Sequence, residues 1–438
     1  MVTTAAVAAV VLLAALTGCR FGAIPVGAVP VGGGSGEAGE EQAGREWTVV
    51  VYMSADNELH ARALEDLNEM EAADVSGPEV TVLALVDRST ARASGDGDWG
   101  ATRLYEIKPD PNGKSPRIVS HRLGSARLGL SKDEETDLNT GSPDTLSVLL
   151  EHAAEEYPAE HTALIVWGEG NGYRAVSVDE ASGDDPLHTA ELSGALEQHP
   201  PDVVALDLAF GAQLEIAYEL RSVAGTLVAS QHAMNLDGWV YDRFLEELAR
   251  DPAGAQAFGT AAIEAFATER ENMPGGCISA VDLSAVGEVS TALDELSTAL
   301  HARADTAGKR DELRRLLFDE VEAFYRTPGD LNLDLGNLGV TVGENYPEVR
   351  SEATALSDAL QAAVNRSWCA EGARARASGL SLHYVPVDEG GYAHPPHTEA
   401  YFVGRWVSHP LSFVQTSKWV PDDDGASGLL YRLWYESM

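Results

Sequence analysis

From Trp47 onward, short apolar runs alternate with stretches whose apolar positions recur every three or four residues. The segment WTVVVYM, opening at Trp47, is apolar at nearly every position, which predicts a strand buried on both faces. The DNELHARALEDLNEMEAA that follows puts Leu59, Ala63, Leu67 and Met70 on one helical stripe, with Asp56 as its expected cap. Glu79 to Asp87, EVTVLALVD, is a second apolar run, so the opening predicts a βαβ unit and a parallel sheet. Further strands are expected over 102–107, 117–122, 162–167, 203–209 and 226–230, and helices over 143–157, 212–223 and 240–249. This alternation predicts an α/β fold with helices on both faces of a mostly parallel sheet. Any site belongs at the carboxyl ends of the strands, where Trp167 and Ala209 fall. Beyond residue 250 the spacing predicts a more helical part, with helices over 254–270, 285–304, 308–326 and 345–368 and strand-like CISAVDL and GLSLHYVP between them.

The segment before Trp47 follows neither period. Residues 2–16, VTTAAVAAVVLLAAL, are apolar but too short for a permanent membrane span, and they sit where the core of an export signal belongs. They end in Leu16-Thr17-Gly18-Cys19, a tetrapeptide that resembles the lipobox, whose cysteine thiol accepts a diacylglycerol. The Gly-, Pro- and Glu-rich stretch behind it has too little to bury to fold by itself and is expected to act as a tether. The expected organisation is therefore a signal peptide and lipobox over 1–19, a linker over 20–46, and one folded body over 47–438. Within that body, 47–250 is the site-bearing core and 251–438 the helical C-terminal portion. Localisation as an exported, membrane-anchored lipoprotein, at the cell surface or the periplasmic face of the envelope, follows from the lipid anchor.

The hydrophobic share of 44% and charged share of 23% are those of a globular body. Sixty-nine acidic against 30 basic residues give a formal charge of -39, which excludes a phosphate-backbone binder because such a protein needs a dense Lys/Arg face. The acidic residues are dispersed, as on a solvated, mutually repelling surface. Apart from Cys19 the cysteines are Cys277 and Cys369, which an oxidising compartment would allow to pair and which otherwise fit as core residues.

Tyr52 to Glu71, YMSADNELHARALEDLNEME, resembles the opening of the clostripain family of cysteine peptidases, and the likeness runs on through VTVLALVDRS, VALDLAFGAQLEIAYELR and VASQHAMNLDGWVYDRFLEEL. The resemblance implies a caspase-like α/β/α sandwich with a catalytic histidine after the third main strand and a nucleophilic cysteine after the fourth. The matching stretches here are Trp167-Gly168-Glu169-Gly170-Asn171-Gly172-Tyr173 and Asp207-Leu208-Ala209-Phe210-Gly211, which put Glu169 at the histidine and Ala209 at the cysteine. Acyl transfer of that kind needs a thiolate to attack and an imidazole to carry the proton. A methyl group and a carboxylate supply neither, so a peptidase homologue without catalytic residues is expected.

The resemblance also sets Asp207 at the acidic residue of a pocket for a basic side chain, which implies a peptide or protein partner; the same carboxylate could instead cap the next helix. Two other readings stay open: a hydrolase using Glu169 and Asp207, with Glu215, as paired carboxylates, and a non-catalytic structural component of the envelope. His161, His188, His199 and His232 flank the site segments and fit as satisfied structural histidines. No cofactor is expected. The acidic runs at 179–185 and 422–425 lack the ligand period of a calcium loop, so no metal residues are assigned, and calcium enters only through a dependence that the resemblance implies.

Overall fold

A computed structural model describes residues 44–75, 77–110, 117–234, 237–270, 276–327, 330–370 and 377–384. The expected signal peptide, Cys19 and nearly all of the expected linker lie outside them, as does the acidic run at 422–425.

The elements follow in chain order as β1 (Trp47–Ala55), α1 (Arg62–Ala72), β2 (Val80–Arg88), β3 (Thr102–Glu106), β4 (His121–Leu123), α2 (Pro143–Glu156), β5 (His161–Gly168), β6 (Ser177–Asp179), β7 (Asp185–Leu187), α3 (Thr189–Leu196), β8 (Val203–Asp207) and α4 (Leu214–Leu220). Then come β9 (Thr226–Ala229), α5 (Tyr241–Arg250), α6 (Gln256–Arg270), β10 (Cys277–Asp282), α7 (Val286–Arg303), α8 (Ala307–Asp319), β11 (Ala323–Thr327), β12 (Asp330–Asp334), α9 (Leu335–Asn345), α10 (Arg350–Ala363), β13 (Val364–Cys369) and β14 (Ser381–Tyr384).

Nine strands form one sheet in the order β13-β10-β9-β8-β5-β1-β2-β3-β4. The middle five are parallel, and antiparallel strands extend both edges. All nine residues of β1 are buried because the sheet is covered twice. Val50 and Tyr52 pack with α2, α3, α4 and α7 on one face, whereas Trp47, Val49, Val51 and Met53 pack with α1, α5 and α6 on the other. Each aliphatic side chain so buried contributes about 1.5–3 kcal/mol. This is the expected sandwich, and the chain winds from β1 to β2 in one direction and from β5 to β8 and β9 in the other. The reversal opens a crevice at the carboxyl ends of β1 and β5.

Several local expectations are corrected. Val364–Cys369 is an edge strand paired with β10 rather than the end of a helix, and Ala323–Thr327 pairs with β12 rather than ending the helix expected over 308–326. Edge strands with one solvated side lack a continuous apolar run, which is why helical spacing looked equally good there. Helix α9 replaces an expected gap, capped by Asp334, whose side chain accepts from the amide of Asn337. The first cap belongs to Asn57, which accepts from the amide of Leu59, and not to Asp56. The strand expected over 117–122 survives only as His121–Leu123. Strand β8 stops at Asp207, so Ala209 lies in the turn beyond it.

Candidate functional site

Parallel pairing sets Trp167 of β5 beside Asp207 of β8, so the two following loops leave the sheet side by side. Glycine lets them close on each other. A Cβ on Gly170 would lie 2.5 Å from the Leu208 side chain, and Gly172, at φ +58°, rests where Gln213 leaves no room for one. The Gly172 amide donates to the Ala209 carbonyl at 3.2 Å, and the Tyr173 amide donates to Gln213 Oε1 at 2.7 Å. Gln213 Nε2 in turn donates to Asn332 at 2.7 Å, tying the site to the three-stranded sheet of β11, β12 and β14.

Ala209 is half-buried, Glu169 is exposed, and both belong to this pair of loops. The residue after Ala209, Phe210, takes the left-handed conformation at φ +59° while its amide donates to the His232 carbonyl at 3.1 Å. A non-glycine residue there costs about 1 kcal/mol or more, so the turn holds residue 209 out from the strand against a local strain.

Beneath the loops is an acidic floor. Asp207, 5% exposed, accepts from the Tyr241 hydroxyl at 2.9 Å and the Trp239 amide at 3.2 Å, and Gly238 passes over the carboxylate. Asp66 of α1 accepts from Trp167 Nε1 at 2.6 Å. Burial, then the charges of Asp207 and Glu69, push the Asp66 carboxyl well above the usual range. Burial and the nearby Asp207 likewise push the Tyr241 phenol upward. Sequence reasoning reached Asp207 but missed Asp66, Trp239 and Tyr241; the LEDLNEME helix and the DGWVY segment carried them without any spacing that joins them to Asp207.

The remaining candidates go elsewhere. Glu215 is fully buried on the opposite side of the sheet from Tyr241; its Oε1 accepts from the His383 amide at 2.9 Å, and burial pushes its carboxyl up to about 8. Glu215 and Asp207 are thus bonded in different layers, which removes the structural basis for grouping them as paired carboxylates. His161 starts β5, at the far end from the site, and His188 caps α3 with Nδ1 beside the Arg174 carbonyl at 2.8 Å. His199 precedes β8 at that same far end, while His232 contributes its carbonyl to the turn and its ring stands edge-on to Phe324 at 6.1 Å. Cys277 and Cys369 lie opposite each other across β10 and β13, two and three strands away from β8, with their sulfurs bonded, so neither offers a free thiol to the loops.

The sequence model of the clostripain family matches residues 51–344, a span that contains every loop just described. The chain belongs to the clostripain family. Among curated relatives, clostripain of Hathewaya histolytica is 28% identical over 225 residues, covering 46% of this chain and 42% of that protein. This clostripain-family chain therefore matches less than half the length of that relative. A solved structure of an inactive zymogen C11 protease from Parabacteroides distasonis superposes with a TM-score of 0.60 at 18% identity, covering 86% of this chain and 99% of that one. A secreted C11 cysteine protease from Bacteroides thetaiotaomicron, solved with an irreversible peptide inhibitor, gives 0.58 at 17% identity, covering 85% and 99%. At these identities the structural likeness establishes the family's fold and nothing finer.

Proposed function

We propose that this chain is an exported, membrane-tethered member of the clostripain family that binds a peptide or protein through a basic side chain and does not cut it. The observation that carries the reading is the pair of loops bearing Glu169 and Ala209. The turn that follows β8 holds Phe210 at φ +59°, and residue 209 just before it ends in a methyl group. The disulfide between Cys277 and Cys369 leaves no free thiol among the described residues, which supports the same conclusion. The exposed carboxylate at 169 has no thiol at residue 209 to activate.

Binding is supported by the acidic floor. Asp207 and Glu69 both act as negative charges on the buried Asp66, and an ammonium or guanidinium group brought against Asp207 would be drawn by this acidic surrounding. At 5% exposure Asp207 admits such a group only if the backbone of Gly238 and Trp239 gives way slightly. The anchor reading rests on Leu16-Thr17-Gly18-Cys19, and among the described residues no helix is long and apolar enough to cross a membrane.

Fluorescence anisotropy with labelled arginyl and lysyl peptides tests the binding claim. The wild-type chain is expected to bind them, and Asp207→Asn to lose at least about tenfold in affinity, the scale of one charge-assisted pair. The asparagine keeps an acceptor for Tyr241 and Trp239 and removes a repulsion, so the fold should persist. Equal affinity in the two proteins would leave a non-binding structural component as the better reading. In cells, Cys19→Ser should move the protein from the membrane to the soluble fraction.

A further inference from the structure

The nine-stranded sheet ends on one side at β13, whose outer side meets no other strand among the described residues. The register with β10 fixes which backbone groups face outward. The Ala370 amide donates to the Gly276 carbonyl at 2.9 Å, so along this antiparallel ladder Trp368 and Arg366 also turn their backbone groups toward β10. The alternate residues, Ser367 and Cys369, stand opposite Ser279 and Cys277 in the close pairs that exchange no hydrogen bonds, in keeping with a Cα separation of 4.1 Å between the two cysteines. The amides and carbonyls of Ser367 and Cys369 therefore point away from the sheet, and nothing among the described residues bonds to them there. Such a row is a template for a further strand.

Proteins usually blunt such edges by shortening, bulging or charging them. The opposite edge is shortened, since β4 has only three residues. On β13 the register slips at Asn365, which leaves Arg366 to Cys369 as a regular stretch. Arg366 does not guard that stretch, because its guanidinium is turned onto α6 and pairs with Glu264 at 2.9 Å. Alongside the edge a cavity of about 560 Å³ opens between β13, α5 and α6, lined by Arg243, Glu247, Glu264, Glu269, Arg366 and Trp368. Trp368 is held against Phe266 with their rings 5.8 Å apart. Three carboxylates stand against two guanidinium groups there, on a chain whose formal charge is -39, so the cavity favours a cation.

We infer that the outer edge of β13 takes up an extended basic peptide as a tenth strand, with a lysine or arginine of that peptide seated in the cavity beside Trp368. The free backbone groups of Ser367 and Cys369 require a partner whose own backbone is extended, which selects a peptide over a compact ligand. Every second side chain of an added strand falls on the α6 side, where the cavity lies. A cationic side chain arriving there meets the indole of Trp368 and the carboxylates of Glu247, Glu264 and Glu269. Strand β13 is three strands away from β8, so this surface is separate from the one at Asp207 and does not rest on it.

The test titrates a labelled peptide of alternating valine and lysine into the full chain carrying Asp207→Asn, which keeps the crevice out of the signal, at about 0.15 M sodium chloride. One saturable site per chain is expected, with amide hydrogen exchange slowed over Val364–Cys369. Adding Ser367→Pro removes an outward amide and no bond to β10, and it should weaken binding by about tenfold or more. The same peptide with its backbone nitrogens methylated keeps every charge and should lose a similar factor, which decides the matter even where the proline disturbs the strand. Equal affinity for the two peptides, or unchanged exchange over β13, would overturn the assignment and leave only diffuse attraction by an acidic surface. A dimer that Ser367→Pro disperses would overturn it in favour of a second copy of this chain.

Discussion

At the residue scale, the environment decides what each acidic side chain can do. Glu215, an added member of one open carboxylate reading, is a buried acceptor for the His383 amide. Its carboxyl sits at about 8 when folded against an ordinary 4.5, so the unfolded chain ionises first. Stability from this group is therefore complete below pH 4.5 and falls as the pH rises toward 8. Glu215→Gln keeps the acceptor and removes the ionisation, so at pH 7.5 it should gain about 1–3 kcal/mol over wild type, with the difference vanishing near pH 4. Chemical denaturation across that range checks this, and a loss at every pH would contradict it. The contact beneath the site gives a second expectation. Gly170→Ala drives a methyl into Leu208, and it should destabilise the protein by about 1–3 kcal/mol in the same assay. Glu169, Ala209 and Asp207 were legible because one contiguous motif carries each. Trp239 and Tyr241 were not, because only the folded chain brings them against Asp207.

At the element scale, the parallel heart of the sheet was readable and its antiparallel margins were not. Strands β1, β2, β5, β8 and β9 are buried on both faces and so announce themselves as apolar runs. Strand β13, VNRSWC, has an exposed middle and follows α10 without a break, so its boundary with that helix carried no signal. What fixes it is pairing with β10, where Cys277 and Cys369 stand opposite each other and are bonded over a sequence separation of 92. Closing so long a loop restricts the unfolded chain, and replacing both cysteines with serine should cost about 2–5 kcal/mol. Urea unfolding of the double variant measures that directly, and an unchanged midpoint would mean that strand pairing alone holds this edge.

At the scale of the whole molecule, a formal charge of -39 has to be carried on 438 residues. The ion pairs among the described residues are mostly exposed and contribute little each, so the net repulsion is largely uncompensated. Raising sodium chloride from about 0.02 M to 0.5 M shortens the screening length several-fold and should raise the melting temperature by a few degrees. A falling melting temperature would show that attractive pairs dominate instead. Above this electrostatic background stands the sandwich itself, whose loops after β5 and β8 carry Glu169 and Ala209 side by side. The most direct measurement is hydrolysis of arginyl and lysyl peptides by the purified full chain, run beside the double variant Glu169→His with Ala209→Cys. Wild type should release no product above the blank, whereas the variant, with an imidazole and a thiol on these two loops, should show measurable turnover; cleavage by wild type that persists in protease-free controls would contradict the account.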